Sequence, residues 1–354
     1  MCYSIMGQTS NNITQDHISQ QLLPSHGLLH GTREIGGYLD ISANTPVHKH
    51  FFSQYALNAA RFCLEYLIQE RQYSTIWLPY YGCHTLAQVA SKTGVTINYY
   101  EIDKTFLPII THNIKDDPIL YINYYGIMTD KCIDVTDKYN NVIIDNAQAL
   151  YAPPITNCDC FYSPRKFFAL PDGGIIAPGK PLAEPDFDVD ISYERIEHIF
   201  RRIDCGAEDA YQISINNRNA LSNSKIKKMS KLTKTMFAQI DVQSAAIKRK
   251  ENWMLLHQEL SPYNKLQLSL TETEIPLFYP FLFESTILRN KLNSHKIFTP
   301  TYWPGMEKLT PPKSFDMYLY SYMHPLTIDQ RYSVQDMHYI AKYIKKIIPI
   351  IDTP

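Results

Sequence analysis

Short apolar runs recur through residues 75–177, and they are apolar throughout rather than alternating with polar residues. The runs are rich in β-branched and aromatic side chains and lie at Thr75–Pro79, Val95–Ile102, Pro118–Tyr124 and Val142–Asp145. About 10–20 residues separate them, and the connection at Thr85–Lys92 has apolar residues at helical spacing. Strands joined in this way form βαβ units, whose helices cover both faces of a sheet. The sequence therefore predicts an α/β fold with a mainly parallel sheet.

The regions before and after these runs predict further helices and strands. An amphipathic helix is predicted ahead of it at Gln54–Ile68. Residues Ser224–Leu260 are Lys-rich with a helical period, and we expect them to bridge two lobes. Short strands follow from Leu266, and a helix is predicted at Val334–Ile347. The chain is accordingly divided into an N-terminal arm (1–44), a large α/β domain (45–235) and a smaller α+β domain (236–354).

Charge and cysteine content exclude several classes of protein. The 354 residues include 34 Lys and Arg against 35 Asp and Glu, so no basic excess is present to neutralise a nucleic acid. No run of about 18 apolar residues predicts a membrane-spanning helix, and Met1–Gln21 lacks the apolar core of a signal peptide. The seven cysteines include no CxxC pair, which argues against a zinc site. We expect a cytoplasmic enzyme with no metal, no nucleic-acid partner and no membrane partner.

Asp145 and Lys166 are the strongest candidates for chemistry. Asp145 ends a predicted buried strand, at the edge where open α/β sheets bind ligands. Lys166 comes 21 residues later, after a second short strand at Asp159–Tyr162. The two could form a structural ion pair, a general acid/base pair, or the two fixed points of pyridoxal 5′-phosphate (PLP), with the lysine as Schiff base and the aspartate on the pyridinium. Spacing alone leaves these alternatives open.

The motifs around both residues resemble those of a known protein family. Asp145-Asn146-Ala147-Gln148 fits the pattern Asp-x-Ala-His/Gln, and Gly173 and Gly174 stand seven and eight residues after Lys166. In both motifs the chain resembles the DegT/DnrJ-type aminotransferases, the sugar-nucleotide branch of the fold-type I PLP enzymes. The likeness extends to Glu34-Ile35-Gly36-Gly37, Leu78-Pro79-Tyr80-Tyr81, Met229-Ser230-Lys231-Leu232 and Pro325–Arg331.

The resemblance implies a fold-type I PLP-dependent transferase, with a seven-stranded type of sheet in the large domain. It implies PLP as cofactor, Lys166 as the catalytic residue that forms the Schiff base and moves a proton, Asp145 on the pyridine nitrogen, and Gln148 against the ring. The implied reaction moves an amino group from an amino acid, with glutamate as the expected donor, to a keto acceptor such as a nucleotide-linked keto sugar. A homodimer is implied as well.

The chain departs from the family where the phosphate is expected, at the start of the helix near Asn58. Relatives usually have Ser-Gly/Ala-Thr there, and this chain has Ala59-Ala60-Arg61. Ala60 and Arg61 would then bind through backbone amides, with added charge from Arg61, unless Arg61 is simply a solvated residue. Ser163 is a further candidate phosphate donor. Many relatives place that serine five residues before the lysine, where this chain has Phe161.

Two further positions depart from the family. The aromatic residue that stacks on the ring is replaced by Cys83, which leaves Tyr81 as the candidate for stacking and a core or interface tyrosine as the alternative. The loop that sends an asparagine across the dimer corresponds to Ile226-Lys227-Lys228-Met229, which has no asparagine.

The C-terminal lobe offers Tyr302 and Arg331 as substrate residues. A guanidinium can bind a carboxylate with two parallel hydrogen bonds, although Arg331 could equally bind within its own domain. The departures leave two alternatives to transamination: a PLP enzyme with a lyase-type reaction or a non-sugar substrate, or a catalytically degenerate regulatory homologue.

Overall fold

The computed structural model describes residues 28–29, 32–33, 41, 55–114 and 116–351. Most of the predicted arm, including Glu34-Ile35-Gly36-Gly37, lies outside the described residues. Strands β1 (Leu28–Leu29) and β2 (Thr32–Arg33) pair antiparallel.

A central sheet of eight strands organises the described part of the chain. Its strands are β3 (Ala56–Leu57), β4 (Thr75–Pro79), β5 (Thr96–Ile102), β6 (Pro108–Ile109), β7 (Ile119–Ile122), β8 (Val142–Asn146), β9 (Asp159–Tyr162) and β10 (Gly174–Ala177), in the order β3-β10-β9-β8-β7-β4-β5-β6. The five strands β9, β8, β7, β4 and β5 are parallel, and β10, β3 and β6 join antiparallel. The predicted α/β fold with a mainly parallel sheet is confirmed, with two-residue strands at both edges bringing the count to eight.

The central strands are buried because helices cover the sheet. Every residue of β7, β8 and β9 is buried, which explains why their sequences are continuous rather than alternating. The register pairs Asp145 with Ile122 on one side and Phe161 on the other. Asp145 is therefore fixed near the carboxyl end of β8, in the middle of the sheet.

The described residues contain ten α-helices. They are α1 (Ala60–Glu70), α2 (His84–Lys92), α3 (Thr129–Lys138), α4 (Glu197–Cys205), α5 (Ala207–Ser222), α6 (Lys231–Ala238), α7 (Val242–Leu260), α8 (Leu288–Ser294), α9 (Phe315–Tyr322) and α10 (Val334–Ile351).

Two helix predictions need correction at their N-terminal ends. The helix predicted from Gln54 begins at Ala60, because Ala56 and Leu57 pair with Ile175 and Gly174 in the sheet. The helix predicted from Ser224 begins at Lys231, because the preceding backbone is extended against β3: Asn58 N donates to the Lys227 carbonyl at 2.9 Å and Met229 N donates to the Ala56 carbonyl at 2.9 Å.

A second buried cluster lies around the antiparallel pair β11 (Phe278–Leu282) and β12 (Met323–Thr327). Helix α7 contributes to both clusters: Val242 and Ala245 belong to the core of the large sheet, and Trp253, Leu256 and Leu260 to the second cluster. The region Ser224–Leu260 thus bridges two lobes, as predicted, through α7. The domain boundary at residues 235 and 236 stays a prediction.

Candidate active site

Asp145 and Lys166 face one region without pairing. The carboxylate of Asp145 is buried, and its Oδ1 accepts a hydrogen bond from the Ala147 N–H at 2.8 Å. Burial raises the pKa of Asp145, against the opposing effects of the Lys166 ammonium and the Ala147 N–H. Within the described part of the chain, Oδ2 of Asp145 accepts no hydrogen bond and Lys166 forms no ion pair. The structural ion pair that spacing left open is therefore not formed.

The turn that carries Lys166 is fixed by its neighbours. Pro164–Lys166 form a 3₁₀ turn directly after β9, and Phe167 N and Phe168 N both donate to the Pro164 carbonyl at 3.0 Å. Both phenylalanine side chains are buried, whereas the Lys166 side chain is exposed. The backbone is thus held in place while the amine remains free to move.

Two side chains that the sequence did not single out as site residues form hydrogen bonds with the backbone directly after Lys166. The Phe167 carbonyl accepts hydrogen bonds from Arg249 Nη2 at 3.4 Å and from Gln330 Nε2 at 3.0 Å. Arg249 is 2% exposed, lies over the Phe167 ring at 4.7 Å, and also donates to the Leu277 carbonyl at 3.1 Å. Burial lowers the pKa of Arg249 to about 10, so the guanidinium stays charged at neutral pH.

Gln148 is buried beside a strained turn. Its Oε1 accepts the Tyr125 N–H at 3.1 Å, and Tyr125 has a positive φ of 58°. A Cβ on Gly126, which follows with φ 76°, would lie 2.5 Å from the Gln148 carbonyl oxygen. The side-chain nitrogen of Gln148 donates to none of the described residues, so it is available to a ligand.

The start of α1 lies against the turn after Lys166. Gly173 N donates to the Asn58 carbonyl at 2.8 Å, and a Cβ on Gly174 would lie 2.5 Å from Ala60 N. The residue before the helix, Ala59, supplies no capping side chain. Arg61 is half-buried, and its Nη1 donates to Ser222 Oγ at 2.6 Å, so it is not a solvated residue. Ala60 and Arg61 therefore form the first turn of a helix that no side chain caps.

Ser163 directly precedes the turn that carries Lys166. It is buried, and its hydroxyl makes no hydrogen bond among the described residues. It therefore has a donor to offer a ligand, and its role at a phosphate stays a prediction.

Tyr81 and Tyr302 belong to one aromatic cluster behind Gln148. The Tyr81 side chain is fully buried, its hydroxyl is 2.7 Å from that of Tyr125, and its ring stacks on Tyr124 with centroids 5.6 Å apart. Tyr302 stacks on Tyr125 at 5.9 Å. Burial raises the pKa of both Tyr81 and Tyr302. Tyr81 thus has the core packing named as the alternative, and its stacking on a cofactor stays a prediction.

Arg331 is held within its own lobe. Its Nε and Nη2 donate to the two carboxylate oxygens of Asp329, each at 2.7 Å. This is the intradomain pairing that the sequence left open, and a substrate role for Arg331 stays a prediction.

Solved structures with the same arrangement of elements support this reading of the fold. A DegT DnrJ EryC1 StrS aminotransferase from Brucella abortus is 13% identical and superposes with a TM-score of 0.57 over 83% of this chain and 85% of that chain. DesI, solved in the presence of its TDP-sugar product, is 13% identical with a TM-score of 0.60 over 82% and 79%. Spr1654 from Streptococcus pneumoniae in its PMP form is 16% identical with a TM-score of 0.58 over 84% and 86%.

The chain has the fold of these proteins. The predicted fold class, a large α/β sheet domain with a smaller C-terminal lobe, is thereby confirmed. No protein-family model matches the sequence, and no curated protein matches it. In the described residues, no helix is long and apolar enough to cross a membrane, and no three His, Cys, Asp or Glu side chains are grouped to hold a metal ion.

Proposed function

We propose that this chain is a PLP-dependent aminotransferase that moves an amino group from an amino acid, with glutamate as donor, to a keto acceptor. The observation that carries the proposal is the placement of Asp145 and Lys166, which face one region at the carboxyl edge of the sheet and are not paired with each other. The fold shared with solved aminotransferases, one of them in a PMP form, supports it.

The residues present fit PLP. Asp145 has an oxygen free for the ring nitrogen, Lys166 has a free amine for covalent attachment, and Gln148 has a free amide nitrogen for the ring. The uncapped first turn of α1 at Ala60 and Arg61, with the Ser163 hydroxyl, would hold the phosphate. When bound, PLP withdraws electrons from the substrate carbon and makes its hydrogen acidic.

The chain's own groups supply positioning and proton transfer. The Lys166 charge and the Ala147 N–H offset part of the cost of burying the Asp145 anion, and the ionised carboxylate would accept a hydrogen bond at Oδ2 from a ring nitrogen and keep that nitrogen protonated. The Lys166 amine, on a flexible stem with a fixed backbone, can accept a proton at Nζ from one carbon and release it to a second carbon within reach of the same stem. The hydrogen bonds from Arg249 and Gln330 to the Phe167 carbonyl limit the movement to the side chain.

The acceptor is proposed to be a nucleotide-linked keto sugar, because DesI shares the fold and was solved with a TDP-sugar product. We further propose that the protein acts as a homodimer in the cytoplasm, with Tyr302 and Arg331 near the acceptor.

The test begins with the purified protein and added PLP. We expect an absorbance band in the visible range, and borohydride should fix the cofactor to the peptide that contains Lys166. Glutamate should then convert the cofactor to its amine form, and a screen of keto sugars linked to nucleotides should restore the original spectrum. Attachment at another lysine would refute the assignment of the site. Attachment at Lys166 without reaction with any common amino donor would refute transamination and favour a lyase-type reaction.

A further inference from the structure

Four arginines lie near the start of α1. Arg61 lies in the first turn of that helix, Arg165 directly precedes Lys166, Arg195 precedes α4, and Arg218 lies on α5; we refer to them as the arginine cluster. Arg61 Nη1 donates at 2.6 Å to Ser222 Oγ, which donates to the Arg218 carbonyl at 2.7 Å. Arg195 pairs with Asp190, whose Oδ2 accepts a hydrogen bond from Asn58 Nδ2 at 3.4 Å, directly before the helix. Burial lowers the pKa of Arg165 to about 10, the nearby Asp172 raises it, and the charges of Arg61, Arg195 and Arg218 lower it further. The four guanidinium groups therefore repel one another in a partly buried region.

The local carboxylates do not balance this charge. Arg195 pairs with Asp190 at 2.6 Å, whereas Arg61, Arg165 and Arg218 form no ion pair with any described residue. Asp172 lies near Arg165 but accepts hydrogen bonds from Ser230 N, Ser230 Oγ and Thr233 Oγ1 instead. The cluster thus holds more positive charge than its surroundings neutralise, which is costly without an anion.

Buried donors in the cluster lack acceptors. The Nε atoms of both Arg165 and Arg195 are buried and have no hydrogen-bond partner. The Arg61 N–H, at the uncapped start of α1, donates to no acceptor among the described residues. Gly174 packs directly against this start, since a Cβ there would lie 2.4 Å from the Ala59 carbonyl carbon. Unpaired buried N–H groups are rare, and here they coincide with the positive end of a helix dipole.

We propose that the arginine cluster is a binding site for a phosphate dianion, completed within one chain and based on guanidinium groups instead of hydroxyl groups. Guanidinium groups match the geometry of phosphate oxygens and remain charged at neutral pH. Arg165 and Arg61 are the primary ligands, and Arg195 and Arg218 add charge. That the phosphate belongs to PLP rests on the proposed function, whereas the site itself does not.

The test measures binding rather than turnover. Inorganic phosphate should raise the melting temperature of the protein, and Arg165→Gln should weaken phosphate binding about tenfold or more, as expected for a lost charge-assisted hydrogen bond. Arg165→Lys should recover part of the affinity. The control is Arg202→Gln, an exposed arginine of α4 outside the cluster, which should bind as the unaltered protein does.

A second variant shows whether weaker binding in Arg165→Gln could be due to misfolding. Arg218 is exposed, so Arg218→Gln should fold normally and weaken phosphate binding by a smaller factor. Phosphate affinity that is unchanged in both Arg165→Gln and Arg218→Gln would overturn the proposal.

Competition identifies the source of the phosphate. PLP should displace inorganic phosphate, and pyridoxal without its phosphate should not. Displacement by a nucleoside diphosphate but not by PLP would overturn the assignment to the cofactor and place a substrate phosphate there. Phosphate binding without attachment of PLP to Lys166 would refute the proposed function alone. Attachment of PLP to Lys166 with phosphate affinity unchanged in both Arg165→Gln and Arg218→Gln would refute this site alone.

Discussion

Gln330 donates a hydrogen bond from its side-chain amide to the backbone carbonyl of Phe167 at 3.0 Å. This bond joins the segment after β12 to the turn that carries Lys166, across 163 residues of sequence. Gln330 also accepts from Arg249 Nε at 3.0 Å, so the two side chains and the carbonyl form one connected group. The position of the candidate lysine therefore depends on the C-terminal lobe.

The first prediction concerns this group. Arg249→Met removes the donor to the Pro276 and Leu277 carbonyls and to Gln330 Oε1, and should lower the free energy of unfolding by about 2–4 kcal/mol. Gln330→Leu should cost about 1–2 kcal/mol, and the double variant should differ from the sum by at least about 0.5 kcal/mol because the two share a partner. Urea denaturation measures all three. Lys248→Met, in an exposed ion pair on the same helix, is the control and should change stability by less than about 1 kcal/mol. Additive effects of the two substitutions would show that the group is not connected.

The second prediction concerns the two candidate site residues. Lys166→Ala should fold with unchanged stability, because the side chain is exposed and unpaired, while transamination falls by about 10³-fold or more. Asp145→Asn retains an acceptor for the Ala147 N–H but loses the charge, and the rate should fall by about 10²–10³-fold. The rate at which glutamate changes the cofactor spectrum measures both, and normal turnover in Lys166→Ala would disprove the assignment.

The third prediction uses two equally crowded glycines. A Cβ on Gly174 would lie 2.4 Å from the Ala59 carbonyl carbon, and a Cβ on Gly179 would lie 2.3 Å from Cys158 N. Each change to alanine should destabilise the protein by about 1–3 kcal/mol, because backbone must shift. Only Gly174→Ala should also weaken phosphate binding, since it displaces the start of α1. Calorimetric titration with phosphate separates the two, and equal loss in both variants would contradict a site at α1.

The fourth prediction concerns the pH dependence of stability. Asp316 is fully buried, accepts the N–H groups of Tyr81 and Ile102, and has its pKa raised by burial to about 6. The folded state therefore binds this proton more tightly than the unfolded state, whose pKa is near 3.8. The contribution of Asp316 to the free energy of unfolding is greatest below pH 3.8 and is lost as the pH rises to about 6. The change amounts to about 3 kcal/mol.

Comparison with Asp316→Asn isolates that contribution. The stability of the unaltered protein should fall relative to Asp316→Asn between pH 4 and pH 6, as measured by urea denaturation at each pH. Asp336 is the control of opposite sign, since hydrogen bonds from Ser333 lower its pKa and its stabilising contribution is lost as the pH falls. A constant difference between the unaltered protein and Asp316→Asn across this range would contradict the prediction.

The sheet was predictable because burial on both faces leaves a clear signal in the sequence. Thr75–Pro79 and Asp159–Tyr162 have the predicted bounds. The start of α1 was not predictable, because Ala56 and Leu57 fit the helical period and are drawn into the sheet by Gly174 and Ile175. Helices α4 and α5 were not predicted; α4 buries no side chain and α5 buries only Ala210 and Leu221.

The candidate site was predictable in part. The Asp145 and Lys166 motifs depend on local spacing, which a sequence displays directly. Arg249 lies between Lys248 and Lys250, and nothing in that basic run distinguishes a fully buried guanidinium from exposed neighbours. Arg165 stands next to Lys166, but its Nε is buried without a partner and its charged neighbours Arg61, Arg195 and Arg218 are distant in sequence. Such contacts follow from tertiary structure, and sequence spacing does not encode them.

Helix α7 has a consequence for how the molecule loses its structure. Its first turns are packed into the core of the large sheet and its last turns into the cluster around β11 and β12. If either lobe unfolds, the other loses the part of its core that α7 supplies. Heating should therefore give one cooperative unfolding peak in a calorimeter. A protease acting on the native protein should likewise release no fragment that remains folded alone.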